Sequence, residues 1–374
     1  MNSRPIRVAW DNSLAGHDRA GTGIYSSQLT RELAGRPELS LEVFRGWERN
    51  GTRPSALTRG VHSLGRLLWN HYYFPRLLRK QRFDLLHAPA FVVPFTCPCP
   101  TVVTIHDLTF LIFPDHFKRR WRTYLKTTLP AVLRSASAII CVSEHTKQDL
   151  LKFYDLPPEK VRVVYNGVDH AQFRPGANFD KDWARMIGIK GDYVLHVGTF
   201  SQRKNIPSLL RAVASLRDKG KFENCQLVLA GQEEPRLPGA REVFATIREL
   251  ELQDITVLTG YLPAEQLPGL YAQAKLLAMP SLYEGFGFPV LESMAVGTPV
   301  VASNCSSLAE IGGDAALLVP PQDVDALASA IQDLRENRSA AECLRQKGLK
   351  RAAQFSWQRA ATETVEVYRS VKRS

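Results

Sequence analysis

The stretch SLYEGFGFPVLESMAVGTPVVAS, residues 281–303, decides the fold of this 374-residue chain. The run just before it, KLLAMPS at 275–281, has four consecutive apolar residues and predicts a short buried parallel strand. Gly285 and Gly287 then allow a tight turn and the close approach of a ligand to backbone N–H groups. Pro289 suits the first position of a helix, where its missing N–H costs nothing. The order strand, glycine turn, helix predicts an anion site at the helix N-terminus.

Two carboxylates bracket this turn, Glu284 before it and Glu292 within the helix. Sugar hydroxyls are natural donors to carboxylates, and the helix N-terminus suits a phosphate, so the combination fits a nucleotide sugar. The alternative is that Glu284 is a solvated loop residue and that the helix dipole stabilises Glu292. We predict the donor site of a sugar-transferring enzyme at this position.

The rest of the chain repeats the alternation of apolar strands and helical segments. Hydrophobic residues make up 44% of the composition, which suffices for two α/β domains, each with its own core. We expect two Rossmann-like, doubly wound parallel-sheet domains facing each other across a cleft, at residues 1–175 and 190–357. A loose segment links them, and the final helix, 358–374, is expected to pack back on the first domain. The predicted strands lie in IRVAW, FDLLHAP, PTVVTIHDLT, ASAIICVSEHT, VRVVYNGVD, DYVLHVGTF, CQLVLAGQ, ITVLTGYL, KLLAMPS, TPVVAS and AALLVP.

Cysteine usage indicates reduced thiols in a cytoplasmic protein. The six cysteines are scattered, and Cys141 and Cys225 lie in apolar or strand-like runs. The CPCP run at 97–100 could be a metal or redox pair, but no second Cys or His pair has matching spacing, and its prolines favour an exposed turn. We therefore expect no metal. No leader pattern and no apolar run near 18 residues is present, so we expect a soluble or peripheral protein.

The net charge of +11 is confined to the first half of the chain. Residues 1–175 hold 25 Lys and Arg against 14 Asp and Glu, whereas residues 176–374 hold 23 of each. Two basic stretches that contain aromatics, 66–83 and 116–126, suit the inner face of the plasma membrane or lipid-linked phosphates. Nucleic acid also fits their charge, but no nucleic-acid fold motif accompanies them, so we expect no nucleic-acid partner. The alternative is a helix whose arginines lie over the edge of a core.

Further site residues are expected at other strand ends. Arg203 and Lys204 follow the strand that ends at Gly198, and two cations between a strand and a helix suit a diphosphate, unless they form a solvated basic turn. Tyr261 and Leu262 end another strand, where backbone groups could contact a nucleobase and the tyrosine could stack on it, although an ordinary helix entry explains them equally well.

His106 and Asp107 follow the strand TVVTI in the first domain. An imidazole at a strand end could hydrogen-bond a sugar hydroxyl or steady developing charge, while a structural role is equally plausible. Asp107 could instead orient the ring or cap the next turn. Near the N-terminus the AGTGIYS run precedes a helix from about Tyr25. It carries Gly21 and Gly23 but no third glycine, so a dinucleotide fingerprint is not supported.

Taken together, these motifs resemble the family-4 retaining glycosyltransferases of the GT-B fold over nearly the whole chain. The resemblance rests on EGFGFPVLE, with its two glutamates separated by seven residues, and on VGTFSQRKN, TIHDLTFLIFPDHF, VSEHTKQDL, VYNGVDHAQFRP and FSWQRAATETVEVYR. It implies that Glu292 binds the ribose hydroxyls and that Glu284, with the amides of Phe286 and Gly287, binds the donor sugar. Arg203 and Lys204 would bind the diphosphate.

The resemblance also implies that His106 lies near the transferred sugar and that Gly23 lies close to the diphosphate. We add Gly198, Gly285 and Leu291 to the expected donor site. We expect Tyr25, His106 and Asp107 to contact the acceptor. Many members have an arginine directly after the strand-end glycine, whereas this chain has Thr199, so Arg203 must supply that charge or the site has one cation fewer.

The implied reaction is transfer of a hexose with retention of anomeric configuration and without a required metal or cofactor. The VGT…RKN variant is similar to mannosyl- and rhamnosyltransferases of surface polysaccharides and indicates GDP-mannose as donor. The basic first domain indicates an acidic, glycan or lipid-linked acceptor. The alternatives are a GT-B phosphorylase or sugar-nucleotide epimerase, a non-catalytic sugar-nucleotide-binding protein, and a polyanion-binding protein.

Overall fold

The computed structural model describes residues 4–13, 21–45, 65, 68–94, 96–232 and 238–372. Arg66 and Leu67, at the start of the basic stretch 66–83, and the last two residues of the expected helix 358–374 lie outside the described residues. The chain forms two compact units. The first unit comprises Met1–Gly167 together with Trp357–Ser374, and the second unit comprises Val168–Ser356.

The first unit is built on a six-stranded sheet with the order β2-β1-β3-β4-β5-β6. Every neighbouring pair in this sheet is parallel, so helical segments connect the strands. The strands are β1 (Ile6–Asp11), β2 (Leu39–Phe44), β3 (Leu85–Ala88), β4 (Thr101–Ile105), β5 (Ala138–Cys141) and β6 (Val161–Val163). The helices are α1 (Gly21–Ala34), α2 (Phe74–Gln81), α3 (Thr109–Ile112), α4 (Arg119–Ser135), α5 (Glu144–Phe153) and the C-terminal α14 (Trp357–Lys372).

The second unit has its own six-stranded parallel sheet, with the order β12-β11-β10-β7-β8-β9. Its strands are β7 (Asp192–Val197), β8 (Cys225–Ala230), β9 (Thr256–Gly260), β10 (Leu276–Met279), β11 (Val300–Ser303) and β12 (Leu317–Val319). Its helices are α6 (Lys181–Met186), α7 (Ile206–Asp218), α8 (Pro238–Glu249), α9 (Leu267–Gln273), α10 (Phe288–Val296), α11 (Ser306–Gly312), α12 (Val324–Glu336) and α13 (Arg338–Ala352).

The strand order of the second sheet places one crevice at a defined point. The chain runs outward through β7, β8 and β9 and then returns to add β10 on the other side of β7. Loops that leave the carboxyl ends of β7 and β10 therefore diverge, and ligands of doubly wound sheets bind where the strand order reverses in this way. The loops that carry Arg203, Lys204 and Glu284 follow these two strands.

Each sheet is covered by helices and has its own hydrophobic core. In the first unit, buried residues of β3, β4 and β5 pack against α2 and α4. In the second unit, β7, β8 and β10 pack against α7, α8 and α12. Two doubly wound parallel-sheet units confirm the predicted fold class. No helix in the described part of the chain combines the length and apolar character needed to cross a bilayer.

Several element boundaries differ from the predicted ones. The strand β2 was not predicted; it lies at the sheet edge, where only part of its surface is buried. Helix α1 already includes Gly21, so the glycines of AGTGIYS lie in its first turn and not in a preceding loop. Helix α10 begins at Phe288, which makes Pro289 its second residue.

The division between the units also differs from the predicted limits. It falls between Gly167 and Val168, so residues 168–175 belong to the second unit. An isolated parallel bridge between Val168 and Ser356 connects this segment to the end of the second unit. The expected linker up to residue 190 contains helix α6, whose first turn is capped by the Asp180 carboxylate accepting the N–H of Trp183.

The C-terminal helix α14 is part of the first unit. Arg36, just after α1, donates to the carbonyl of Gln358 and to the Thr362 hydroxyl at the start of α14. Deeper in the unit, the ring of buried Tyr25 lies 6.3 Å from that of Trp357. The first and last helices of the described chain are thus held together by polar contacts at the surface and by aromatic packing inside.

Candidate functional site

Glu284 is the centre of a buried ion cluster at the strand reversal of the second sheet. Its Oε2 accepts a hydrogen bond from Arg203 Nη1 at 2.5 Å, and its Oε1 lies 2.5 Å from Lys204 Nζ. The side chains of Glu284 and Lys204 are 9% and 7% exposed, and that of Arg203 is 25% exposed. Arg203 therefore presents part of its guanidinium to solvent, while the other two groups lie beneath it.

Three hydroxyl groups hold the backbone and carboxylate of Glu284 in place. Ser281 donates to Oε1 at 2.9 Å, Ser307 donates to the Glu284 carbonyl at 2.9 Å, and the Glu284 N–H donates to the Ser306 hydroxyl at 3.1 Å. Arg203 also donates to the carbonyl of Tyr283. A carboxylate fixed by this many partners is preorganised, so little rearrangement is needed when a ligand arrives.

Glycines make the space that Lys204 occupies. A Cβ on Gly198, at the end of β7, would meet Lys204 Cε at 2.8 Å. A Cβ on Gly231, just after β8, would meet the Gly198 carbonyl oxygen at 2.0 Å, and one on Gly239 would meet the backbone of Gln202 at 2.5 Å. Side chains at these positions would displace the turn that carries Arg203 and Lys204, so the glycines are steric requirements of the cluster.

The protonation of the cluster follows from burial and charge. Burial by itself would raise the pKa of Glu284, but the charges of Arg203 and Lys204 outweigh it and lower that pKa to about 2. Burial lowers the pKa of Lys204, and Glu284 opposes this effect. Glu284 is therefore ionised at neutral pH.

Buried His196 on β7 lies near the same cluster. Its Nδ1 donates to the carbonyl of Ala278 at 2.9 Å, so its Nε2 carries the lone pair in the neutral ring. Burial, reinforced by the charge of Lys204, lowers the pKa of His196 to about 4. This histidine was not among the expected site residues. Its ring is an uncharged polar group near Lys204.

Glu292 has a different environment from Glu284. It lies on α10 and is 8% exposed, and its Oε2 accepts a hydrogen bond from the Tyr271 hydroxyl of α9 at 2.8 Å. Burial raises the pKa of Glu292 to about 7, although the bond from Tyr271 and the charge of Lys204 oppose the shift. Among the described residues, Tyr271 donates a hydrogen bond to Glu292, whereas Glu284 also has two cationic partners. Glu292 is suited to accept hydroxyl groups from a ligand.

The turn before α10 brings backbone groups to the same crevice. Gly287, the N-cap of α10, has a φ of 104°, a value that favours glycine. A Cβ there would also meet Leu308 at 2.8 Å. Gly285 precedes it in the turn, the Phe286 ring is buried in van der Waals reach of Phe288 and Phe355, and Leu291 is fully buried in the helix. The helix N-terminus therefore points its positive dipole end to the loop of Glu284.

Tyr261 and Leu262 lie farther along the same edge of the sheet. They follow β9, the outermost strand on this side, two strands away from β7. The Tyr261 side chain is 51% exposed, whereas Leu262 is buried. The amide of Gly231 donates to the carbonyl of Gly260, so the ends of β8 and β9 are joined at this edge. The Tyr261 ring therefore lies at the surface of this edge.

In the first unit, His106 lies at the carboxyl end of β4. Its Nε2 donates to the carbonyl of Pro89 at 2.8 Å, which leaves Nδ1 as the acceptor nitrogen of the neutral ring. Burial lowers the pKa of His106, although the carbonyl of Pro89 and the charge of Asp107 oppose the shift. His106 is therefore neutral near pH 7 and can accept a hydrogen bond from a hydroxyl group.

The other expected acceptor residues have structural roles. The Tyr25 side chain is 1% exposed, its hydroxyl lies 2.8 Å from that of Thr104, and its ring contacts the His106 ring edge-on at 4.8 Å. It supports His106 and does not offer its hydroxyl to the surface. The carboxylate of Asp107 accepts the N–H of Thr109, the first residue of α3. Gly23 lies in the first turn of α1 and is buried.

A chain of buried polar groups behind Tyr25 was not predicted from the sequence. His87 on β3 has its Nδ1 2.6 Å from the Tyr368 hydroxyl of α14 and its Nε2 2.8 Å from the Thr104 hydroxyl. Burial lowers the pKa of His87 to about 3, so the ring is neutral. The chain links α14 through His87 and Thr104 to Tyr25, the residue that packs on His106.

Chemically, the second unit offers two cations, the ionised carboxylate of Glu284, and Glu292 with its raised pKa, near the N-terminus of a helix. Such a set can meet the charge of an anionic group and accept hydrogen bonds from hydroxyls beside it. Among the residues that the structure describes, no group of three or more His, Cys, Asp or Glu side chains is placed to hold a metal ion.

Comparison with known families covers both units. Residues 181–351 match the family described as glycosyl transferases group 1, and residues 21–172 match glycosyltransferase family 4. The first match contains Arg203, Lys204, Glu284 and Glu292, and the second contains His106.

One relative spans nearly the whole chain, and another spans two thirds of it. O-antigen chain mannosyltransferase B of Escherichia coli is 31% identical over 93% of this chain and 96% of its own length. MMP alpha-(1->4)-mannosyltransferase of Mycolicibacterium hassiacum is 35% identical over 67% of this chain and 58% of its own length.

Solved structures extend the likeness to the fold. Sucrose-phosphate synthase from Thermosynechococcus elongatus superposes with a TM-score of 0.76 over 99% of both chains at 23% identity. Anabaena HepE in complex with UDP-glucose gives a TM-score of 0.76 over 98% of this chain and 100% of that chain at 19% identity. The two parallel sheets, the paired family matches and the full-length mannosyltransferase relative lead to one conclusion: this chain belongs to glycosyltransferase family 4 and is a glycosyltransferase of the GT-B fold.

Proposed function

We propose that this enzyme transfers a hexose from a nucleotide sugar to a glycan or lipid-linked acceptor, and that the donor is GDP-mannose. The observation that carries the proposal is the buried Glu284 held between Arg203 and Lys204 at the strand reversal of the second sheet. One carboxylate with two cations presents a net positive charge to a diphosphate while it keeps an acceptor for sugar hydroxyls.

Different residues of the second unit bind different parts of the donor. The diphosphate lies on Arg203, Lys204 and the N-terminus of α10, so that charge developing on the leaving group meets fixed positive groups. Glu284 accepts hydroxyls of the sugar. Glu292, which keeps one oxygen on Tyr271, accepts the ribose hydroxyls, and Tyr261 stacks on the base.

We propose that transfer retains the anomeric configuration. The acceptor hydroxyl attacks the face of the anomeric carbon from which the nucleoside diphosphate departs, and a donor phosphate oxygen takes its proton. His106 accepts a hydrogen bond from a sugar hydroxyl at Nδ1, because Nε2 is committed to Pro89. Arg203 and Lys204 supply the positive charge that a metal ion provides in other transferases, and we therefore propose a reaction without metal or cofactor.

The choice of mannose rests on the relatives. Two of them, from E. coli and M. hassiacum, are named mannosyltransferases, and the first spans nearly the whole chain. HepE, which is similar in fold only, was solved in complex with UDP-glucose. A test of the donor must therefore compare guanosine and uridine nucleotides directly.

The donor is tested by a thermal-shift screen in which each nucleotide sugar is also assayed for release of nucleoside diphosphate. Binding raises the unfolding temperature in proportion to the logarithm of concentration over Kd, so GDP-mannose should give the largest shift at equal concentration. Nuclear magnetic resonance of the product then gives its anomeric configuration. A larger shift with a uridine nucleotide would overturn the GDP-mannose proposal, and an inverted product would overturn retention.

The same screen separates the alternative activities. A phosphorylase would release the sugar only with inorganic phosphate, and an epimerase would convert one nucleotide sugar into another without an acceptor. A protein that only binds sugar nucleotides would show the thermal shift without turnover. Each of these results would replace the proposed transferase reaction.

We further propose that the enzyme works in the cytoplasm, with its first unit against an anionic membrane surface that presents the acceptor. The segment from the π-helical turn Trp69–Tyr73 into α2 exposes Tyr72 and Tyr73 at 48% and 52%, directly before the basic residues Arg76, Arg79 and Lys80. Trp121 on basic α4 is also exposed, at 37%. Exposed aromatics beside cations suit the interface of an anionic bilayer.

Cosedimentation with vesicles tests this surface. Phosphatidylglycerol vesicles should retain the protein, and phosphatidylcholine vesicles should not. Replacing both Arg79 and Lys80 by Glu should abolish retention, whereas replacing Lys347 and Lys350 by Glu in the second unit changes charge equally and should preserve it. Equal retention on neutral vesicles would contradict the proposal.

A further inference from the structure

Cys97 and Cys99 form a pair of facing thiols in the loop between β3 and β4. Their Sγ atoms lie 3.7 Å apart, and neither belongs to a disulfide. Both side chains are half-buried and pack against the hydrophobic core of the first unit. Pro98 between them restricts the backbone at that position, so the loop holds the two thiols together with reduced freedom.

The pair lies away from the residues of the proposed transfer reaction. Cys99 precedes β4, which begins at Thr101, whereas His106 follows the other end of this strand. Parallel strands put ligand-binding loops at their carboxyl ends, so the thiols lie at the opposite edge of the first sheet. The proposed sugar transfer therefore makes no use of them.

The two thiols are chemically unequal. Hydrogen bonding from Cys99 is the main reason that the pKa of Cys97 falls to about 7, against the effect of burial. The same hydrogen bond, with burial and the nearby charge of Asp84, raises the pKa of Cys99 well above its usual range. Cys97 is therefore the thiol that loses its proton more readily, and Cys99 is the one that keeps it. The thiolate is the nucleophilic form of cysteine.

We propose that Cys97 and Cys99 are a thiol–disulfide exchange site that takes low-molecular-weight disulfides as its substrate. The Cys97 thiolate attacks one sulfur of the disulfide, a Cys97 mixed disulfide forms, and one thiolate leaves and takes up a proton. Cys99 then loses its proton and attacks Cys97 Sγ, which forms the Cys97–Cys99 disulfide and expels the second thiol. The protein loses two hydrogens, and the small disulfide is reduced to two thiols.

The geometry favours an intramolecular product that can be reversed. The 3.7 Å between the sulfurs has to close to about 2 Å, a movement that side-chain rotation in a surface loop can provide. A bond across a single intervening residue closes a small ring, and strained or exposed disulfides are the ones that are readily reduced. The buried Cys141 and Cys225 cannot compete for the reagent, and exposed Cys343 serves as an internal control.

The test treats the full-length folded protein with oxidised glutathione and maps the products by peptide mass spectrometry without reduction. In the wild type we expect a Cys97–Cys99 disulfide, two glutathione molecules released per disulfide, and recovery of both thiols with dithiothreitol. Cys99→Ser should accumulate a stable glutathione adduct on Cys97. Cys97→Ser should lose most of the reaction at this loop, and Cys343→Ser should behave as the wild type does.

A persistent glutathione adduct on wild-type Cys97, or modification of Cys343 with the pair untouched, would overturn the proposal. Circular dichroism establishes that each variant is folded. A second measurement needs no variant: a trivalent arsenical such as phenylarsine oxide binds two adjacent thiols at once, so it should block formation of the disulfide in the wild type. Disulfide formation that continues after arsenical treatment would likewise contradict a facing pair.

Discussion

Lys204 Nζ and Glu284 Oε1 lie 2.5 Å apart in an ion pair whose two side chains are both less than a tenth exposed. Removing two charges from water is expensive, and a buried pair of this kind contributes little net stability compared with apolar residues of the same volume. Its presence at the strand reversal of the second sheet is therefore better explained by binding than by folding.

Replacing Lys204 by Met keeps most of the side-chain volume and removes the charge. We expect sugar transfer at saturating donor to slow at least tenfold, or about 1.4 kcal/mol of barrier, because the leaving diphosphate loses one of its two cations. Steady-state kinetics measure the effect. Lys221→Met, at a half-exposed position in the same unit, is the matched control. Unchanged turnover of Lys204→Met would remove this lysine from the mechanism.

Replacing Glu284 by Gln keeps its shape but frees both cations from their counter-charge. We expect free nucleoside diphosphate to bind at least as tightly as to the wild type, because Arg203 and Lys204 then face it unneutralised. Transfer should nevertheless fall at least tenfold, because the sugar loses its carboxylate. Calorimetry with the nucleoside diphosphate and kinetics with the sugar nucleotide separate the two effects, and a parallel loss of diphosphate binding would contradict them.

The raised pKa of Glu292 predicts that the free energy of unfolding of the ligand-free protein depends on pH. The pKa of Glu292 is raised from 4.5 in the unfolded chain to about 7 in the folded protein. The neutral form therefore contributes its full stabilisation below pH 4.5, and this contribution is lost as the pH rises through about 7. At pH 8 the ionised group costs up to about 3 kcal/mol. Glu292→Gln should therefore unfold at a higher temperature than the wild type at pH 8, and the difference should narrow towards pH 5.

The same variant separates stability from function. The amide oxygen introduced by Glu292→Gln can still accept the hydroxyl of Tyr271, but it is a weaker acceptor for ribose hydroxyls than a carboxylate is. We expect the more stable variant to bind the donor less tightly at pH 8. Equal unfolding temperatures of variant and wild type at pH 8 would show that the surroundings of Glu292 do not raise its pKa.

Removing the Tyr368 hydroxyl tests the contact between α14 and His87. Tyr368→Phe keeps the ring and leaves His87 Nδ1 buried without its partner, which costs roughly 1–3 kcal/mol. The urea midpoint of the first unit should fall, and tryptophan fluorescence reports it because the Trp10 ring lies 4.3 Å from the His87 ring, tilted by 49°. Tyr72→Phe, at a half-exposed ring, should leave the midpoint unchanged. If both variants unfold alike, the buried hydrogen bond contributes nothing measurable.

Much of the architecture could be predicted because parallel strands buried on both faces are continuous apolar runs. Strand β10 is such a run, and β7 is apolar apart from Asp192 and His196. A glycine follows β7 and a proline follows β10, and charged residues come four or five positions later. Arg203, Lys204 and Glu284 could therefore be assigned to strand ends from local sequence. Strand β2 could not be assigned in the same way, because an edge strand is only partly buried and its apolar residues alternate with polar ones.

Contacts made by packing between helices could not be predicted. Tyr271 and Glu292 lie 21 residues apart on α9 and α10, and only the angle between these helices brings the hydroxyl to the carboxylate. The Tyr368–His87 contact joins residues 281 positions apart. The burial of Tyr25 could likewise not be predicted, since helix α1 begins earlier than the glycines suggested and turns its ring inward.

The assignment of α14 to the first unit has a consequence for biosynthesis. The second unit is one continuous segment, Val168–Ser356, and it can complete its core as soon as that segment has left the ribosome. The first unit combines Met1–Gly167 with Trp357–Ser374, so it needs Trp357 and Tyr368, which are translated after the whole second unit. The nascent chain can therefore complete its second unit before its first, and Tyr368, the partner of His87, reaches the first sheet only after the second unit has been translated.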